Sequence, residues 1–143
     1  MKRVLFGLAL LAAAAPALAC DVVFVASGAV RAIVNAHGGL SMPEAQCAAV
    51  NANRLAISLT GMPVISGGKN IGWASVRIMD PDYNIVSDEG QSETIVDNNP
   101  PSQDTANKAM ADAANEAIKN FDVNLAIGQV LEYRAAAQKA AHP

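Results

Sequence analysis

The chain has 143 residues, ten Lys or Arg against thirteen Asp or Glu, and a formal net charge of −3. Beyond Lys2 and Arg3 its basic residues are dispersed singly, which excludes the cation clusters that nucleic acid and anionic membrane surfaces require. Aromatics make up 4% of the residues, leaving little stacking surface for sugars or bases, and two histidines are too few for a multi-histidine metal centre.

Lys2 and Arg3 precede an apolar run from Val4 to Ala15, and Ala17-Leu18-Ala19 supplies a small-x-small cleavage pattern. These three parts in order predict a signal peptide over residues 1–19, cleaved after Ala19, and delivery to a bacterial periplasm or the medium. The run is shorter than the ~20 residues a spanning helix needs, and no later stretch rivals it, so the chain is not expected to span a membrane. Removing Lys2 and Arg3 leaves eight basic against thirteen acidic side chains, a mature net charge of −5. About 124 residues then remain for a single α+β domain, 20–143.

Cys20 opens the mature chain and Cys47 is its only sequence partner. In an oxidising compartment the pair is expected to form a disulfide, a staple that loop entropy makes worth about 3 kcal/mol. A cysteine directly after a leader can instead carry lipid. The preceding Ala17-Leu18-Ala19 departs from the usual lipobox, in which leucine stands three residues before the cysteine and a small residue two before it.

Val22, Val25, Ala26, Ala29, Val30, Ile33 and His37 recur at helical spacing and predict a helix from about Asp21 to His37, stopped by Gly38-Gly39. Ser41-Met42-Pro43-Glu44 has the form of a capping box and predicts a second helix from about Met42 to Asn53. The period then drops to two: Leu55, Ile57 and Leu59 alternate with Ala56, Ser58 and Thr60, as in a strand with one buried face. Gly61 to Pro63 and Ser66-Gly67-Gly68-Lys69 read as turns. Ile71 to Met79 reads as a strand, Asp80 to Asn84 as a tight turn, and Ile85 to Asp97 as a long or bulged strand around Gly90.

After the breaker Asn98 to Ser102, a stripe of Ala106, Ala109, Met110, Ala113, Ala117, Ile118 and Phe121 predicts a helix. Asp122 or Asn124 would cap a last helix through Ile127, Val130, Leu131 and Arg134, although Val123, Leu125 and Ile127 also alternate as a short strand would. The expected architecture is an α+β two-layer sandwich: an N-terminal helix pair, a three- to four-stranded antiparallel sheet, and one or two C-terminal helices.

No nucleophile elbow, zinc-helix, Cys-x-x-Cys, phosphate-loop or dinucleotide-glycine motif occurs, and no motif calls for a cofactor. His37 stands at a helix C-terminus beside a glycine pair, where it is either satisfied locally or faces a ligand; axial haem ligation by His37 or Met42 is a further option. Asp80, Asp82 and Asn84 open like a calcium loop, but Ile85 replaces the required glycine and Gln91 the closing glutamate. Asp88, Glu89, Glu93 and Asp97 fall along one strand as solvated edge charges or as an acid-base pair. Trp73, Ser75, Arg77 and Met79 share a strand face opposite Ala74, Val76 and Ile78. If helices cover the latter, Trp73 and Arg77 face outward as a binding surface; otherwise Trp73 belongs to the core.

The segments Gly61-Met62-Pro63-Val64, Gly68 and Ile71-Gly72-Trp73-Ala74 are similar to the hairpin of GlcG-like haem-binding proteins over about fifteen residues. Three functions follow as expectations. The first is a non-catalytic envelope factor that binds another protein. The second is a carrier or sensor of a small, even haem-like, ligand held between helices and sheet. The third is a hydrolase using acidic residues near Asp88 to Glu93.

Overall fold

The computed structural model describes residues 21–141. In chain order these form β1 (Phe24–Val25), α1 (Gly28–Ala36), α2 (Glu44–Ala52), β2 (Ala56–Ser66), β3 (Lys69–Asp80), β4 (Ile85–Asp97), α3 (Gln103–Asn120) and α4 (Val123–Ala141). The architecture is the expected α+β arrangement, with helices N- and C-terminal to a four-stranded sheet of order β1-β2-β3-β4. The sheet is mixed where an antiparallel one was expected, because β1 runs parallel to β2 through Phe24↔Ile57 and Val25↔Ser58.

That correction has a local cause. The apolar residues from Val22 onward fit a helical stripe, yet the Ser27 hydroxyl accepts from the Val30 N–H and starts the helix only at Gly28. The residues before it are free to pair with β2, and Arg31 ties them back by donating to the Phe24 carbonyl and lying over its ring. The glycine stop is as expected: Gly38 and Gly39 take positive φ, and the Gly39 N–H closes onto the Val34 carbonyl. The capping box is not formed. Pro43 is the N-cap of α2, while the Ser41 N–H is given to the Asn115 side chain on α3.

Gly61 to Pro63 lie inside β2 and not in a turn. Ile57 donates its N–H to the carbonyl of Val23, just before β1, so residues of the same parity, Pro63 included, direct their N–H side away from β3. Because β1 covers only Ile57 and Ser58, the rest of β2 is an edge, where a proline missing its outward N–H costs the β2–β3 ladder nothing. The two-residue turn Gly67-Gly68, both at positive φ, closes the hairpin as its sequence implies.

The expected bulge is in β4, just before Gly90. Gly90 pairs with Arg77 and Val86 with Met79, so Ser87, Asp88 and Glu89 together oppose Ile78. The buried Ser87 hydroxyl replaces the lost ladder partner, accepting from the Ile78 N–H at 3.1 Å and donating to the Glu89 carbonyl at 2.6 Å.

The helices lie on the sheet face that carries Ile57, Leu59, Ala74, Val76 and Ile78, all buried. α3 crosses β2, β3 and β4 with its whole expected stripe, Ala106 through Phe121, buried. Its closest approach is over Gly72, where a Cβ would sit 2.5 Å from the Ala109 carbonyl oxygen and nearer still to the Ala109–Met110 peptide. Ser102 caps α3, and Asp122 caps α4 through the Leu125 N–H, which settles the Val123–Ile127 stretch as helix. Two buried asparagine contacts lock the connections: Asn70 accepts from the Ser102 N–H and donates toward the Asn99 carbonyl. None of the described helices is long and apolar enough to cross a membrane.

Candidate functional site

The sheet face turned away from the helices is the most distinctive surface. Across three strands its rows are Ser58, Arg77 and Gly90; Thr60, Ser75 and Ser92; Met62, Trp73 and Thr94; and Val64, Ile71 and Val96. Strand alternation puts these side chains on one side. Met62 (57% exposed), Trp73 (38%) and Val96 (47%) form an uncovered apolar end, grading through hydroxyls to Arg77. Arg77 lies across Gly90, whose missing Cβ would come within 2.8 Å of the arginine Cγ. Its guanidinium has no hydrogen bond or ion pair among the described residues.

The helices do cover the Ala74-Val76-Ile78 face, so Trp73 and Arg77 stand together in the open, about 13 Å apart at strand rise. Met79 does not join them: it is 8% exposed, beyond the point where the β4 bulge shifts the register. His37 is elsewhere again, at the end of α1 in the helix layer, its Nε2 3.8 Å from the Asp104 carboxylate at the start of α3. The four candidate binding residues therefore divide into one pair and two separate positions.

A second feature is an open cleft of about 580 Å³ between the loop Ser41-Met42-Pro43, Ile95 of β4, and Asp112, Asn115, Glu116 and Lys119 of α3. Met42, Pro43 and Ile95 give it apolar walls. Asn115 is committed to the loop, accepting from the Ser41 N–H and donating to the Gly39 carbonyl. Lys119 is paired with Glu116, and Asp112 with Lys108. His37 is not part of its lining, so the cleft does not unite the two side chains considered for haem.

The acidic and calcium-like residues have structural partners. Asp80 is fully buried: one carboxylate oxygen accepts from the backbone N–H of Asp82 and Tyr83, and the other takes Arg134 Nε at 2.5 Å. Arg134 also donates to the Asn53 carbonyl, so this pair ties α4 to the β3–β4 turn and to the end of α2. Burial alone would raise the Asp80 carboxyl, but the bonds from Arg134, Asp82 and Tyr83 outweigh it and hold the group below its ordinary value. Asp88 accepts from Tyr133 on α4, a bond that raises the phenol, and Glu93 accepts from Gln91 and Asn120. Among the described residues no three His, Cys, Asp or Glu side chains cluster as metal ligands would.

The expected signal peptide and Cys20 lie outside the described residues. Cys47 is fully buried on α2, and Asn51, one turn on, donates to its Sγ at 3.7 Å and to the Asp21 carbonyl at 3.2 Å.

Sequence reasoning passed over Met62, Val64 and Val96. The first two were hidden by the glycine and proline beside them, which read as a turn; the outward N–H parity of Pro63 was the missing signal. No protein-family model matches the chain, and neither a curated protein nor a solved structure shows significant similarity to it.

Proposed function

We propose that this chain is an exported envelope protein, one domain behind a cleaved leader, that works by binding another protein and not by catalysis. The observation that carries this reading is the open sheet face, which holds exposed Trp73, Met62 and Val96 together with an arginine that has no partner among the described residues. Tryptophan and arginine carry much of the energy of protein interfaces, and an uncovered apolar patch on a small protein marks an interaction site. Export is supported by the leader pattern at residues 1–19. A Cys20–Cys47 bridge is supported by two points: no described cysteine is free, and Asn51 holds the residue following Cys20 against the Cys47 turn.

The test is Trp73→Ala together with Arg77→Ala. The double variant should keep the parent circular dichroism and melting curve and lose its partner in co-purification from the native envelope. Retained capture by a folded double variant removes this face from consideration.

A second reading, a small-molecule carrier, is favoured by the cleft at Met42, Pro43 and Ile95, whose volume lies in the range of ligand sites. A native mass spectrum decides it: a species that leaves on denaturation and is lost in Ile95→Trp supports the carrier, and a bare polypeptide mass counts against it.

A further inference from the structure

We infer that the open face receives an acidic segment of another protein, which sets an apolar side chain on Trp73 and Met62 and a carboxylate on Arg77. The inference rests on the reading that this face is the working surface, and it names the chemistry of the occupant.

The argument is one of charge. The chain has thirteen Asp and Glu residues, yet in the rows from Ser58-Arg77-Gly90 to the hairpin turn none stands on the open face. Alternation places Glu93 and Asp97 on the opposite side, and Asp88 is held by Tyr133 of α4. The charges that remain are Arg77 and, at the turn, Lys69. A protein with a mature net charge of −5 thus presents one surface, apolar at one end and hydroxyl-lined towards the other, whose charges are exclusively cationic. Gly90 adds shape to charge: with no side chain there, the Arg77 stem lies flat and its guanidinium is offered from a defined position, not from a flexible tether.

A second copy of the chain fits poorly. Stacking this face on itself would set arginine and lysine against a surface with no carboxylate to answer them. The face measures roughly 30 Å by 14 Å, about 400 Å², from strand rise and spacing. A stable interface needs about 800 Å² from each partner. A surface of this size suits a single segment anchored by one apolar group and one ion pair, the two about 13 Å apart.

The experiment places a photo-crosslinker, Ser75→p-benzoylphenylalanine, between Trp73 and Arg77 in the full-length protein in its own host, with Thr60→p-benzoylphenylalanine on the same face as a second position if the first does not fold. Mass spectrometry identifies the crosslinked peptide. The expected peptide carries Asp or Glu next to an apolar residue. Arg77→Glu should weaken binding of that purified partner by 10-fold or more, as for close charge pairs, and reversing the partner's acidic residue to Arg should restore it. A peptide without a carboxylate, or undiminished binding by Arg77→Glu while Trp73→Ala abolishes it, overturns the acidic occupant and leaves the protein-binding reading standing. A self-adduct at twice the mass overturns it in favour of a dimer. Co-sedimentation of the protein with phosphatidylglycerol vesicles, lost in Arg77→Glu, overturns it in favour of a lipid surface. Adducts from neither position, with binding untouched by Trp73→Ala, sink both readings.

Discussion

Gly72→Ala probes the contact that seats α3 on the sheet. The added Cβ meets the Ala109–Met110 backbone of α3, 2.5 Å or less from its nearest atoms, and backbone cannot turn aside as a side chain can. To regain ordinary contact at ~3.4 Å the helix must lift by about an ångström, and a gap of 0.5–1 Å already forfeits a quarter to a half of the dispersion energy across it. Ala106, Met110, Ala113 and Ala117 are all buried at that seam, so the cost should reach the upper end of overpacking, about 3 kcal/mol. At about 4 °C per kcal/mol for a domain of this size, melting should fall by about 12 °C. Gly128→Ala is the matched control: nothing lies within 4 Å of its new methyl, and alanine in the α4 interior should add about 0.5–1 kcal/mol. Gly61→Ala should fall between the two, because its neighbour is the flexible end of Met110. Thermal and urea unfolding of the three variants reads out the order. A Gly72→Ala protein melting within ~2 °C of the parent would refute the argument that α3 is seated on that glycine.

Asp80→Asn should cost about 3 kcal/mol at neutral pH, because it leaves Arg134 without its charge partner against the β3–β4 turn. Since the folded-state carboxyl of Asp80 is lowered, its contribution is complete above the unfolded value near 3.8 and is lost as pH falls through the lower folded one. Urea titrations at pH 7 and pH 3 should therefore show a smaller acid-side loss in Asp80→Asn than in the parent. Ser87→Ala orphans the buried Ile78 N–H and should cost about 1–3 kcal/mol in the same assay, with no effect on partner capture. Asn115→Ala releases the Gly39–Ser41 loop from α3, and the Ser41 amide should then exchange its hydrogen faster than in the parent. Reduction of the purified protein should add two hydrogens to its mass and destabilise it by about 3 kcal/mol if Cys20 and Cys47 are bridged; an unchanged mass would end that proposal.

How far the sequence could be read depended on whether a feature was periodic. The α3 stripe repeats at the spacing of its own element, so its burial followed directly, whereas the alternation in β3 defined two faces without saying which one the helices cover. The covered Ala74-Val76-Ile78 face then placed Trp73 and Arg77 in the open. Two-residue β1 was too short to show a period and was absorbed into a helix that Ser27 in fact begins later. Ser41 was drawn off its capping role by Asn115, 74 positions away, and Asp80 meets Arg134 at a separation of 54. Such side-chain pairings between distant segments leave no mark on local pattern. Met79 keeps the strand face it shares with Arg77 but is 8% exposed, a burial that alternation along β3 does not reveal.

The position of Pro63 bears on how this protein behaves when crowded. An exposed strand edge invites a neighbouring chain to add its own strand, the usual route from a folded β-protein to a fibre. Along β2 that edge opens just past Ser58, and Pro63 interrupts the run of N–H groups a docking strand would need midway to the hairpin turn. Open-ended chains of copies joined through β2 are thereby discouraged at the cost of a single proline.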